Sequence, residues 1–159
     1  MTNFQKIWSN HPIIKGDDPV LDKKVYENQC AINLSAALMR SGIQLTGFGG
    51  ALSWQKGAPK YAIRAQELAD WLQTTFPRVP MKCEKVAPKE FSAKLSQKRG
   101  IIFFQNYWGS GKQGDHIDLW NGSRLTHMRS LAQIYLRVGS FGLGSDYREA
   151  ESVWFWGLS

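Results

Sequence analysis

The apolar pattern of the chain changes at Gly100. Before it, apolar residues recur at helical spacing; after it they gather in short β-branched and aromatic runs such as "IIFFQNYW" at 101–108. Helices first and strands afterwards predict an α+β domain, with N-terminal helices packed on an antiparallel β-sheet. The length of 159 residues and an apolar content of 43% suit one such unit, a single domain spanning 1–159.

In the first half, "ENQCAINLSAALMRSG" predicts a helix with Asn28 as N-cap, a buried face of Cys30, Leu34, Ala37 and Leu38, and Gly42 at its end. Ala65, Leu68, Ala69, Leu72 and Phe76 mark the apolar stripe of a second helix that Pro77 stops. A shorter third is expected in "APKEFSAKLSQKRG", with Pro88 in its first turn. The segment up to Val20 reads as irregular. In the second half, "SLAQIYLRVG" is ambiguous between helix and strand, "SFGLGSDYREA" reads as loop and "SVWFW" as a last strand.

Two of the three histidines flank one short stretch, "HIDLWNGSRLTH" at 116–127. Asn-Gly between strand-like runs signals a two-residue hairpin turn, because both residues accept positive φ. That turn sets Trp120 opposite Ser123 and, further along, His116 opposite His127. Directly opposed side chains share a face with Cβ atoms roughly 5 Å apart, so the two rings can touch, with Asp118 on the same face.

Cys30 is expected near the start of its helix, among amide N–H groups without helical partners. Those amides and the helix dipole favour a thiolate. A nucleophilic thiolate needs a base and a third group to hold that base's tautomer, a hierarchy that Cys30, His116 and then His127 or Asp118 can fill. Each residue alone is as well explained by structure: a cysteine on an apolar helix face is commonly core, and a strand histidine commonly a satisfied structural residue. Their conjunction, with glycine-rich loops around both, points to catalysis.

A net charge of +7 favours an acidic partner: nucleic acid, an anionic membrane surface or an anionic polymer such as a cell wall. The basic residues are scattered, without the one-sided stripe of a groove-reading helix, which argues against nucleic acid. Apolar runs such as Ile101 to Phe104 are far shorter than the roughly 20 residues of a membrane span, and "MTNFQKIWSNHPI" does not read as a signal peptide. The two cysteines, Cys30 and Cys83, form neither a disulfide framework nor a zinc-ligand pattern, so no metal or cofactor is expected. They either pair or leave at least one reactive thiol. Cys83 reads as structural, and His11 receives no role.

A helix-start cysteine, followed much later by a strand opening on histidine and a polar residue about eleven positions on, resembles the NlpC-type papain-like cell-wall peptidases. More closely, "NQCAINLSAALMRSGI", "RGIIFFQNYW" and "GDHIDLWNGSRLT" resemble family four of the type VI secretion amidase effectors, from Cys30 to the hairpin and less distinctly to the aromatic end. The resemblance implies an antibacterial toxin of papain-like, NlpC-type fold. It would be made in the producer cytoplasm without a signal peptide and injected by the type VI apparatus into the periplasm of a target cell. There it would cut peptidoglycan stem peptides between γ-D-glutamate and meso-diaminopimelate. A cognate immunity protein would plug the cleft.

Carried over by position, Cys30 matches the family nucleophile and His116 the base. The family commonly places Asp on the second hairpin strand, whereas this chain has His127 there, as the NlpC-type peptidases often do; the opposed pairing with His116 makes His127 the expected third residue and Asp118 the alternative. The Cys30 backbone N–H is the expected first oxyanion donor. Exposed aromatics such as Trp54, Tyr107 and Trp108 could flank the cleft. Competing readings are an amidase of the same class cutting another wall bond, and a non-catalytic basic binder of cell wall or nucleic acid.

Overall fold

The structure is a computed structural model describing residues 1–75, 81–108, 114–128 and 147–159. In chain order the elements are α1 (Asn3–Asn10), α2 (Pro12–Lys15), α3 (Cys30–Arg40), α4 (Ala65–Thr75), β1 (Cys83–Val86), α5 (Phe91–Lys94), β2 (Gly100–Trp108), β3 (Gly114–Trp120) and β4 (Ser152–Gly157). Short 3-10 turns precede α5 at Pro88–Glu90 and β4 at Tyr147–Glu149. The expected α+β arrangement is present.

The four strands form one sheet in the order β1-β4-β2-β3, and every neighbouring pair is antiparallel. The last of these strands therefore lies in the interior of the sheet and β3 at an edge. Gly100 is required at the β2–β4 contact, since a Cβ there would collide with the Trp156 carbonyl oxygen.

Side chains alternate across a strand, and here both faces are covered. Ile101, Phe103, Ile117 and Leu119 meet Phe4, Ile7, Leu34, Leu38 and Leu68 of the helices. On the opposite face Ile102, Phe104 and Trp120 pack with Phe91, Leu95, Leu125 and Tyr147. The same alternation sets His116 and Asp118 of β3 opposite Phe104 and Ile102 of β2.

Three expectations need correction. The opening segment is helical rather than irregular: Thr2 and Gln5 form a reciprocal capping box that starts α1, and His11 caps α2 ahead of Pro12. The third helix is a 3-10 turn followed by a four-residue helix, shorter than its pattern suggested. The hairpin register also differs, because Trp120 bridges Leu125 instead of facing Ser123.

The cause of the register change is Asn121, which uses its side chain as well as its backbone. Asn121 Oδ1 accepts the N–H groups of Ser123 (3.0 Å) and Arg124 (2.9 Å), and the Asn121 N–H donates to the Arg124 carbonyl at 3.2 Å. Gly122 supplies the positive φ, +102°. The loop therefore takes in Asn121 to Arg124, and beyond Leu125 the chain turns again instead of extending as a strand.

The α4 stop expected at Pro77 and the ambiguous stretch at 130–139 lie outside the described residues. No helix among the described residues is long and apolar enough to cross a membrane.

Candidate active site

Cys30 opens α3, with Gln29 as the capping residue. Asn28, the expected cap, still acts there: its Oδ1 accepts the Cys30 N–H at 3.2 Å. The expected oxyanion donor is thus engaged by a side chain that lies just ahead of the helix. Cys30 and Cys83 are both free thiols; Cys83 starts β1, opposite Trp156.

A cleft of about 760 Å³ is lined by Cys30, His116 and His127 together with Asn28, Gln29 and Asn33. The chain thus brings the helix-start cysteine and the two hairpin histidines to one concavity. Trp54 is not among its lining residues; it is 64% exposed and its ring lies 4.4 Å from that of Tyr26. The side chains of Tyr107 and Trp108 lie outside the described residues.

The site is organised around Asp118. Its Oδ2 meets His116 Nε2 at 3.1 Å and His127 Nδ1 at 3.3 Å. Its Oδ1 accepts the Thr126 hydroxyl at 2.6 Å and the Leu119 N–H at 2.7 Å. An ionised carboxylate only accepts, so His116 presents its Nε2–H and His127 its Nδ1–H. His127 Nε2 then accepts from the Tyr147 hydroxyl at 2.9 Å. The two imidazoles are close, with centroids 5.3 Å apart and planes at 87°, although their residues are not paired across a hairpin. Both are tied to the same carboxylate oxygen.

The third histidine comes to the same carboxylate. His11 is 2% exposed, and its Nε2 lies 3.7 Å from Asp118 Oδ1. Its Nδ1 accepts the Ile13 N–H at 3.2 Å, which places the ring proton on Nε2, toward Asp118. No local spacing could have joined His11 to Asp118. The readable signal was the His-Pro pair closing one helix and opening the next, since an N-cap ring is fixed in direction.

Burial sets the protonation states. It pushes the Cys30 thiol up to about 12, against the pull of the Ile117 and Ala31 N–H groups. The helix start therefore does not produce the lowered thiol expected from sequence, because desolvation outweighs the amides. Burial likewise lowers the His116 and His11 pKa values, opposed in each by Asp118. At Asp118, burial works to raise the pKa, but hydrogen bonds from His116 and His127 hold it well below the usual carboxylate range. The resting site holds a neutral Cys30 thiol and neutral His116 and His11 rings around one buried anion.

Ligand atoms of His116, Asp118 and His127 lie within 4.8 Å of one another, a set that a divalent metal could also use.

The chain is similar in structure to a chain of the type VI effector–immunity complex Tae4–Tai4 from Enterobacter cloacae, at 22% identity and a TM-score of 0.63, covering 99% of this chain and 96% of that one. It also resembles the effector Tae4 from Enterobacter cloacae, at 21% identity and a TM-score of 0.67, over 100% and 98% of the two chains. A chain of the Salmonella typhimurium Tae4–Tai4 complex matches at 19% identity and a TM-score of 0.67, over 100% and 99%. No curated protein sequence matches. The family model described as "Type VI secretion system (T6SS), amidase effector protein 4" matches residues 26–156, which include Cys30, His116, Asp118 and His127. That match spans most of the chain, and the protein belongs to the type VI secretion amidase effector 4 family.

Proposed function

We propose that the protein is a cysteine amidase that cuts the γ-D-glutamyl–meso-diaminopimelate bond of peptidoglycan stem peptides. The observation that carries this reading is the shared cleft of Cys30 and His116, with His116 Nε2 bound to a buried Asp118. With Nε2 committed, Nδ1 is the ring atom assigned to proton exchange with the thiol.

Because thiol and imidazole both rest neutral, the reaction begins by general-base catalysis. The S–H proton moves to His116 Nδ1 as sulfur attacks the amide carbonyl, and a tetrahedral oxyanion forms. The imidazolium then gives its proton to the departing amine, leaving a thioester on Cys30. Water deprotonated by His116 attacks that thioester and restores the thiol. Asp118 compensates the transient imidazolium charge and fixes the ring. What supports Asp118 over His127 in the direct role is its 3.1 Å contact with His116 Nε2; His127 acts from the far side of the same oxygen. The Cys30 N–H serves the oxyanion when the oxyanion displaces Asn28 Oδ1.

Family membership supports delivery by type VI secretion to the periplasm of a target cell. The similar chains from effector–immunity complexes support a cognate immunity protein that blocks the cleft. Digestion of purified sacculi followed by mass spectrometry tests the reaction. The wild-type protein is expected to release peptides that begin at meso-diaminopimelate, leaving D-glutamate as the new end of the stems on the glycan, and folded Cys30→Ala to release none. Fragments of another mass reassign the bond, and release by folded Cys30→Ala refutes cysteine catalysis.

A further inference from the structure

One wall of the cleft carries polar groups that the hydrolytic steps do not use. Asn33 lies one turn beyond Cys30 on α3, is 2% exposed and lines the cleft. Its Nδ2 donates to Asp18 Oδ1 at 3.0 Å. A carboxylate can only accept, so this bond fixes which end of the amide faces Asp18. Asn33 Oδ1, buried, has no hydrogen-bond partner.

Gln29 repeats the arrangement. Its Nε2 donates to the carbonyls of Tyr26 (2.6 Å) and Leu21 (3.2 Å), which fixes that amide too, and Oε1 is buried without a partner. Two orphaned acceptors at neighbouring positions of one cleft are unusual, because buried polar groups are as a rule bonded. Asp18 and Glu27 add carboxylates to the same lining. Lys23, whose Nζ lies 3.7 Å from Asp18 Oδ2, is the cation there, and it is 60% exposed. The side-chain amides of this wall spend their donors on the protein itself, and Asp18, 24% exposed, with the surface residue Glu27 adds negative charge beside their unpaired oxygens.

The complement of such a wall is a compact donor with positive charge. We propose that Asp18, Asn33 and Gln29 form a subsite for a primary ammonium group of the stem peptide, with Lys23 available to a carboxylate beside it. The inference rests on the cysteine amidase reading and deepens it by naming the part of the substrate recognised next to the scissile bond. Diaminopimelate carries such an ammonium beside a carboxylate when its side chain is uncross-linked, and loses the charge when that amine is acylated in a cross-link. A stem peptide freed from glycan carries another at its N-terminal alanine. The shared chemistry is the ammonium, and substrates that mask one or the other separate the two sources.

The test uses three synthetic L-alanyl-γ-D-glutamyl-diaminopimelate peptides: one acetylated on the alanine amine, one on the side-chain amine of diaminopimelate, and one on both. Wild-type protein is expected to lose about tenfold in kcat/KM, chiefly through KM, when the recognised ammonium is masked, a loss of the size of one charge-assisted hydrogen bond. The peptide that shows the loss identifies the amine. Asn33→Leu, close in volume but without the acceptor, is expected to bring the ratio toward one. Asp18→Asn, at a partly exposed position, makes the same measurement should Asn33→Leu not fold by circular dichroism. Equal kcat/KM for all three peptides on wild-type protein overturns the subsite while leaving the amidase reading intact, as does a folded variant that discriminates as wild type does. No cleavage of any peptide overturns both.

Discussion

Asp118 is the residue on which the site turns, and its neighbours make its loss different from the loss of either hairpin histidine. Removing it unhooks His116, His127 and the Thr126 hydroxyl together, whereas removing His127 leaves the His116 bond in place. Asp118→Ala is expected to lower kcat/KM by about a hundredfold or more, and His127→Ala by less. Steady-state rates on a stem peptide check the order, and the reverse order would give His127 the direct role.

The thiol makes a second prediction at this scale. With burial pushing Cys30 up to about 12, its alkylation by iodoacetamide should still accelerate above about pH 9, beyond the ordinary thiol value, instead of levelling near neutrality. Because burial lowers His116, the acid limb of kcat/KM should fall below the ordinary imidazole value of about 6.5. The helix start at Cys30 and the strand carrying His116 and Asp118 were legible in sequence because they are local properties, whereas His127 reaches Asp118 from a turn and not from an opposed strand. His11 was not: only the folded chain carries α1 and α2 across to β3. The thiol's pKa was misjudged for a related reason, because sequence reveals the helix start but not the depth of burial around it.

Among the elements, the loop after β3 shows where local rules stop. Asn-Gly announced a turn correctly, with Gly122 in positive φ, yet the side chain of Asn121 lengthened it. The segment from Leu125 to Met128 is shaped by Arg124, whose Nη1 donates to the carbonyls of Leu125 (3.2 Å), Thr126 (3.2 Å) and Met128 (2.6 Å). Its guanidinium also lies 5.0 Å from the Trp8 ring of α1. One cation thus gathers the carbonyls around His127 into a compact turn. Arg124→Met is expected to destabilise the protein by about 1–3 kcal/mol, because those acceptors lose a charged donor. It should also lower activity through the misplaced His127 arm. Urea unfolding and peptide cleavage measure the two effects, and unchanged stability would show that the turn holds without Arg124. The α1 capping box stands in Thr2 and Gln5, and the expectation of an irregular opening segment passed over it.

For the whole molecule, the buried histidines and Asp118 couple folding to pH. His11 and His116 have lowered pKa values in the folded state, so between those values and about 6.5 the unfolded chain binds more protons. Their contribution is present above about pH 6.5 and is lost as pH falls below it. Asp118, also lowered, contributes above about pH 3.9 and loses its share as pH falls through the folded value. The melting temperature should therefore drop between about pH 7 and pH 5, across the ordinary imidazole range. His11→Gln, neutral throughout yet able to donate and accept, should show a shallower drop, and an equal slope in both proteins would remove His11 from the coupling.

At this scale the α+β class was readable from periodicity, and the β2 and β4 runs from their β-branched and aromatic residues, although β1 precedes α5. The place of β1 was not, since "CEKV" is short and half polar, and its strand identity comes from Val153 to Trp156 beside it. Pairing order between distant segments leaves no periodic trace in either partner.

The interior position of β4 also sets a timetable. β1 and β2 emerge from the ribosome without each other as partners, and both wait for residues 152–157 to be synthesised before they join one sheet. Until then β2 has one open edge and β1 has no neighbour in the sheet, so the support beneath the cleft is unfinished. A nascent chain with Cys30, His116, Asp118 and His127 already translated therefore still lacks the strand that joins β1 and β2 into one sheet.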